Sequence, residues 1–95
     1  METNNRLIEI LILTRENCGY CEDALKIIQA YQPAKCFHIQ TCSIDSPEGM
    51  ELVLKNRILF PPGIFINGAL FSYGRFSQRK FERFLQEKYP NIRKL

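Results

Sequence analysis

The first apolar run of the chain, RLIEILIL at residues 6–13, is almost continuous in leucine and isoleucine. A run of this length is typical of a strand covered on both faces, as in a parallel sheet flanked by helices. Over residues 18–31 the apolar positions recur at helical spacing, and Glu22 and Asp23 stand in the first turn, where the helix dipole favours acids. The sequence therefore predicts a buried strand followed by an amphipathic helix, which Pro33 ends.

The next two segments repeat this strand and helix order. The stretch CFHIQTCSI at residues 36–44 predicts a second strand. DSPEGMELVLKNR at residues 45–57 predicts a short helix, with Ser46 as its N-cap and Pro47 at its first position. We expect Gly49 to weaken this helix, because glycine has a low helix propensity.

The second half of the chain predicts a hairpin and a last helix. An Asn-Gly pair at 67–68 joins strands at 64–66 and 69–73, since both residues tolerate the positive φ of a tight turn. An amphipathic helix then begins after Ser77 and ends before Pro90. We assign its apolar side to the core, together with the aromatic residue that precedes it: Phe76, Phe81, Phe84 and Leu85.

The order of elements defines the fold class. A βαβ unit followed by ββα predicts a three-layer α/β/α sandwich around a four-stranded mixed sheet, with the first two strands parallel. The length of 95 residues, 45% of them hydrophobic and 24% charged, allows one modest core. We therefore expect a single domain over residues 1–95.

Composition also limits the location and the partners. No apolar run reaches the roughly 18 residues of a membrane span, and the start lacks the pattern of a signal peptide, so we expect a cytoplasmic protein without a membrane partner. The net charge is +3, and residues 75–95 carry seven basic and two acidic side chains. No recognition motif accompanies this basic tail, so nucleic-acid binding is disfavoured. The tail remains a candidate surface for an anionic partner.

The motif Cys-Gly-Tyr-Cys at residues 18–21 carries the chemistry. Cys18 falls where the predicted helix begins, so free backbone N–H groups can stabilise its thiolate. Cys21 lies one turn further along, on the apolar stripe, and is shielded. This asymmetry predicts that Cys18 attacks a disulfide and that Cys21 then attacks Cys18 to release the product.

Two other interpretations of the cysteines stay open. Free cysteine is a common core residue, so Cys18 and Cys21 could be an inert buried pair, and we assign Cys36 and Cys42 to the core. All four cysteines could instead bind zinc, although the second pair is separated by five residues, unlike the repeated two-residue gap of a zinc ribbon. A CxxC that opens a helix after a strand favours redox chemistry, so we assign no metal ligands.

With the motif FPPGIFING at residues 60–68, CGYC resembles glutaredoxins and other small thioredoxin-like proteins over residues 6 to about 89. The resemblance implies a thioredoxin-like fold and a thiol-disulfide oxidoreductase that reduces protein or small-molecule disulfides in cell redox homeostasis. It implies no bound cofactor, and glutathione as a candidate co-substrate. The implied partners are disulfide-containing proteins or glutathione mixed disulfides, with a reductase or glutathione as electron donor.

The resemblance also implies substrate-binding residues. Arg15 is the basic residue three before the first cysteine, and Pro62 corresponds to the family's cis-proline beside the active thiol. The residue at position 61 pairs through its backbone with the bound peptide or glutathione, as an added strand would. The full set implied for the substrate groove is Arg15, Tyr20, Pro61, Pro62, Gly74 and Arg75.

Three departures qualify this resemblance. Pro61 has no N–H, and the Gly-Gly-x-Asp segment for glutathione is absent, so we expect weak glutathione use. SYGRFS at 72–77 instead resembles the end of thioredoxins. The buried acid that thioredoxins carry six residues before the first cysteine is replaced by Ile12.

Two alternative functions belong to other classes. Glutaredoxins with a small residue after the first cysteine, as Gly19 is here, can share an iron-sulfur cluster between two protomers with glutathione as extra ligand. Alternatively, the domain is a binding partner that acts through its basic last helix and not through its thiols.

Overall fold

The computed structural model of the protein describes residues 8–31 and 37–89. Within them the predicted order of elements is confirmed, and each boundary lies within a few residues of its expected place. Pro33, Cys36 and Pro90 lie outside the described residues. The elements are β1 Ile8–Thr14, α1 Gly19–Ala30, β2 Phe37–Ser43, α2 Pro47–Asn56, β3 Gly63–Ile66, β4 Ala69–Tyr73 and α3 Gln78–Lys88.

The four strands form one mixed sheet in the order β2-β1-β3-β4. β1 pairs parallel with β2 and antiparallel with β3, and β3 pairs antiparallel with β4. The predicted α/β fold with a four-stranded mixed sheet is thereby confirmed. β1 is one of the two inner strands. The loop that follows it therefore lies near the middle of the sheet, at the carboxyl end of β1.

Both faces of the sheet are covered, as the apolar run of β1 predicts. Ile8, Ile10 and Ile12 are buried with residues of α1 and α3. Leu13 is buried on the other face, where side chains of α2 pack against it. Alternation of side chains along the strand sends successive residues to opposite faces, so both faces of β1 bury apolar side chains.

α3 packs against the sheet through aromatic side chains, as expected. Phe81 is fully buried and meets Tyr31, the C-cap residue of α1, edge to face, at 5.5 Å between ring centroids. The Tyr31 hydroxyl accepts a hydrogen bond from Gln78 Nε2 at 3.3 Å, and burial raises the pKa of Tyr31 above its usual value. These contacts attach α1 to α3 and hold the helix that carries both cysteines of the motif.

α2 forms despite the glycine in its first turn, and the structure shows why glycine is there. Ser46 Oγ accepts a hydrogen bond from the Gly49 N–H at 3.0 Å, which confirms the predicted cap. Gly49 is buried, and a Cβ atom on it would collide with the carbonyl oxygen of Ser43. Glycine has a low helix propensity, but at this position it allows α2 to pack closely on the end of β2.

The predicted hairpin is also confirmed, because Asn67 and Gly68 both have positive φ, at 49° and 86°. Asn67 does more than turn the chain: its Oδ1 accepts from the Glu9 N–H at 2.9 Å, and its Nδ2 donates to the Tyr89 hydroxyl at 2.6 Å.

In the described part of the chain, no helix combines the length and apolar character that crossing a membrane requires.

Candidate functional site

The site lies where β1 ends and α1 begins. Between them, Asn17 adopts left-handed backbone angles with φ 54°, which asparagine tolerates better than most residues. Cys18 follows with extended angles, φ −110° and ψ 102°, and serves as the N-cap of α1. The turn therefore delivers the first cysteine of the motif to the helix N-terminus, where the sequence places it.

Cys18 and Cys21 are joined by a disulfide, with 5.2 Å between their Cα atoms. The predicted proximity of the pair is confirmed. Cys18 is partly exposed, whereas Cys21 is 4% exposed and belongs to the core side of α1. The backbone N–H of Cys21 donates to Cys18 Sγ at 3.1 Å. A donor in this position stabilises negative charge on the outer sulfur once the disulfide is reduced.

The loop before β3 forms the opposite side of the site. The peptide bond between Pro61 and Pro62 is cis, as the resemblance implies. Gly74, at the end of β4, has φ 81° and donates its N–H to the carbonyl oxygens of Phe60 at 3.1 Å and Pro62 at 2.8 Å. These two hydrogen bonds attach the segment after β4 to the proline loop.

A groove of about 700 Å³, called here the Cys18 groove, opens between these two loops. It contains most of the residues that the sequence analysis assigned to substrate binding. Cys21 and Pro62 are also candidate site residues, but they are buried and do not line the groove. The groove is lined by Arg15, Glu16, Asn17, Cys18, Gly19, Tyr20, Phe60, Pro61, Gly74 and Arg75.

Phe60 is the large apolar lining residue that the sequence analysis did not assign to the site, and Glu16 and Asn17 are polar lining residues that it also did not assign. Its side chain is 64% exposed, although its neighbour Pro62 is fully buried. Leu59 beside it is 68% exposed. The available signal was an apolar pair directly before the two prolines, in a loop and not in a strand or helix. Exposed apolar side chains that lie together often mark a binding surface. Phe60 and Leu59 are therefore candidates for contact with a ligand.

Two further residues of types that often carry chemistry, a cysteine and a histidine, lie away from the groove. Cys42 is partly buried, with its Sγ 3.4 Å from Ser46 Oγ, and His38 is exposed on the edge strand β2. Within residues 8–31 and 37–89, no group of three histidine, cysteine or acidic side chains is arranged to hold a metal ion. Ile12 is fully buried in the core, at the position where the resemblance leads one to expect an acid.

The chain is similar to known proteins in its fold. No protein-family model matches the sequence, and no curated protein matches it. Solved structures do match. An uncharacterized thioredoxin-like protein from Clostridium perfringens is 16% identical, with a TM-score of 0.68 over 98% of this chain and 78% of that one.

Two thioredoxins are also similar in structure. A thioredoxin from Thermus thermophilus is 20% identical, with a TM-score of 0.57 over 84% of this chain and 72% of that one. Thioredoxin-2 of the malaria parasite is 14% identical, with a TM-score of 0.62 over 92% of this chain and 88% of that one. The chain therefore has the thioredoxin-like fold, with a CxxC disulfide at the start of its first helix.

Proposed function

We propose that the protein is a thiol-disulfide oxidoreductase that reduces disulfides through Cys18 and Cys21. One observation carries the proposal: the Cys21 N–H points at the sulfur of a partly exposed Cys18, while the Cys21 thiol group is buried behind it. The outer sulfur is both accessible to a substrate and stabilised as a thiolate. The inner sulfur is protected from solvent, yet it lies within bonding distance of the outer one.

The reaction follows from this arrangement. The Cys18 thiolate attacks one sulfur of a substrate disulfide, so that a mixed disulfide forms and the other substrate sulfur leaves as a thiolate and takes a proton. Cys21 then loses its proton and attacks Cys18, which releases the second substrate thiol. The protein dithiol is oxidised to the disulfide by two electrons, and the substrate disulfide is reduced to two thiols.

The proton of Cys21 needs an acceptor in the second step. Ile12, which occupies the thioredoxin acid position, is apolar and fully buried, so it cannot take this proton. We propose that water in the Cys18 groove accepts it. This step is slower than one assisted by a buried carboxylate, since the base is weaker.

Glutathione is a poor co-substrate in this proposal. Pro61 lines the groove but has no N–H, so one of the two main-chain hydrogen bonds to a bound tripeptide is lost, at about 0.5–1.5 kcal/mol. A dithiol reductase is the favoured electron donor, and a reducing compartment such as the cytoplasm keeps the pair reduced. The same loss weakens the glutathione ligand that cluster binding requires, so we do not propose the cluster-carrier alternative.

Insulin reduction tests the proposal directly. The reduced wild-type protein should reduce insulin disulfides, and Cys21→Ser should accumulate a covalent mixed disulfide that mass spectrometry detects, because the releasing thiol is missing. Recharging by thioredoxin reductase should be faster than recharging by glutathione with glutathione reductase. Absence of adducts in Cys21→Ser would contradict the roles of the two thiols, and efficient glutathione coupling would contradict the argument from Pro61.

A further inference from the structure

Two arginines flank the Cys18 groove. Arg15 lies in the loop that precedes Cys18, and Arg75 lies directly after Gly74 on the other side. Both side chains are exposed, and neither makes an ion pair or a side-chain hydrogen bond with any other residue that the structure describes. A guanidinium group presents a planar fork of donors that suits a carboxylate, so these side chains are available to an acidic ligand.

The backbone holds Arg75 at the groove. The Gly74 N–H is bonded to the carbonyl oxygens of Phe60 and Pro62, which ties the residue before Arg75 to the proline loop. Gly74 itself needs the left-handed φ of 81°, a conformation that other residues adopt only with strain. The guanidinium therefore extends from a fixed backbone position beside the reactive sulfur.

A second depression continues the Cys18 groove along α1. This side groove, about 320 Å³, shares Tyr20 and Arg75 with the Cys18 groove, so the two form one continuous surface. Its other lining residues are Asp23, Lys26, Ile27 and Phe76. Together the two grooves carry three cationic side chains against two carboxylates. Arg75 is the charged side chain common to both.

The apolar contribution comes from two aromatic side chains. Tyr20 is 53% exposed and Phe60 is 64% exposed, and both line the Cys18 groove. Aromatic side chains of this kind offer a large contact area to an apolar group and few rotamers to fix on binding. The side groove continues from the Cys18 groove along α1 as far as Ile27, which suits an extended chain segment.

We propose that these grooves select disulfides in extended polypeptide segments that carry acidic residues beside the reacting cysteine and an apolar side chain next to it. Arg75 is the specificity-determining residue for the acidic side chains, with Arg15 in support. Tyr20 and Phe60 receive the apolar side chain. The inference rests on the proposed reductase function, because it names the substrate class of the same site.

The test uses two symmetric peptide disulfides as probes. Each is formed from two copies of one short peptide with phenylalanine before its cysteine, and the outer positions are aspartate in one probe and lysine in the other. The pre-reduced protein reduces each probe in a single turnover, so no external reductant is required. Each rate constant is divided by that for dithiothreitol, which removes the effect of charge on the intrinsic reactivity of the peptide.

Wild-type protein should prefer the acidic probe by about twofold to fivefold, the range expected of exposed charge pairs. Arg75→Glu should reverse the preference. Arg83→Glu makes the same change in net charge on the exposed side of α3, away from both grooves, and should leave the preference unchanged. High salt should reduce the preference, because exposed charges are screened.

Several results would overturn the inference. Equal normalised rates for the two probes, or a preference that survives in Arg75→Glu, would remove the role of Arg75. A preference lost equally in Arg83→Glu would show that net charge alone acts. If oxidised glutathione were reduced as fast as the acidic probe, the arginines would bind small anionic disulfides and not polypeptide segments. If neither the probes nor insulin were reduced, the proposed function would fail as well.

Discussion

The starts of α1 and α2 are built alike, yet only the start of α1 carries a cysteine pair. Each helix follows one of the two parallel strands, and each N-cap side chain accepts a hydrogen bond from the backbone N–H three residues on. Cys18 Sγ accepts from Cys21 at 3.1 Å, and Ser46 Oγ accepts from Gly49 at 3.0 Å. The same side-chain cap therefore starts both helices, and it does not by itself distinguish the candidate site from the start of α2.

The difference lies in the surroundings of the two caps. In α1 the third residue after the cap is a second thiol, and the cap opens onto the Cys18 groove. In α2 the corresponding residue is Gly49, packed against Ser43, and the described cysteine beside this cap is Cys42, whose Sγ lies 3.4 Å from Ser46 Oγ. The proposed thiol-disulfide exchange therefore requires three features at one helix start. These are a sulfur at the cap, a second sulfur one turn further along and access from solvent.

The largest expected effect comes from making the first cap resemble the second. Cys18→Ser keeps an oxygen acceptor for the Cys21 N–H but removes the nucleophile, so insulin reduction should fall to the uncatalysed background. Helix content by circular dichroism should match that of the reduced wild-type protein, because serine is a good N-cap. Cys42→Ser is the matched control and should retain full activity.

The opposite result would break the comparison. Substantial activity in Cys18→Ser would mean that another thiol attacks the substrate. Loss of activity in Cys42→Ser, with the fold intact, would show that the second cap region contributes to the reaction.

The next effect contrasts the first-turn glycines of the two helices. Gly49→Ala should lower the free energy of unfolding by about 1–3 kcal/mol, because the added Cβ collides with the Ser43 carbonyl and the backbone must shift. Gly19→Ala places its Cβ where no atom lies within 4 Å and should raise that free energy by about 0.4–1 kcal/mol. Urea denaturation of the oxidised proteins measures both.

Equal effects of the two substitutions would contradict this account. In that case the packing of α2 on the end of β2 would be looser than the contact between Gly49 and Ser43 indicates.

The smallest effect concerns the cap of α2 itself. Ser46→Ala removes the acceptor for the Gly49 N–H and the donor to the Ser43 carbonyl at 2.7 Å, so the free energy of unfolding should fall by about 1 kcal/mol. Insulin reduction should be unchanged, since Ser46 lies outside the groove. Ser46→Thr should recover most of the stability, and a loss as large as that of the alanine variant would argue against the cap.

Local sequence signals predicted most of the fold. The apolar run of β1, the serine caps of α2 and α3 and the Asn-Gly turn each act through neighbouring residues, so their effects could be read along the chain. Gly49 was interpreted only as a weak helix former. Its contact with Ser43 depends on how α2 returns to β2, and helix propensity contains no information about that distance.

The candidate site divides in the same way. Cys18 and Cys21 were predictable because three residues of helix fix their separation and their unequal burial. Phe60 was missed, because the exposure of an apolar side chain depends on how its loop packs, and its lining position depends on Gly74, fourteen residues away in the chain.

The sequence by itself determined the elements, the position of the two thiols at a helix start and the absence of an N–H at residue 61, because each of these depends on short-range covalent structure. Only the tertiary structure decided that Phe60 joins Arg15, Tyr20 and Arg75, which the resemblance implies for the groove, on one surface with Cys18. The reason is physical: that surface is assembled from segments after β1, before β3 and after β4. Only the sheet register and the hydrogen bonds of Gly74 bring those segments together.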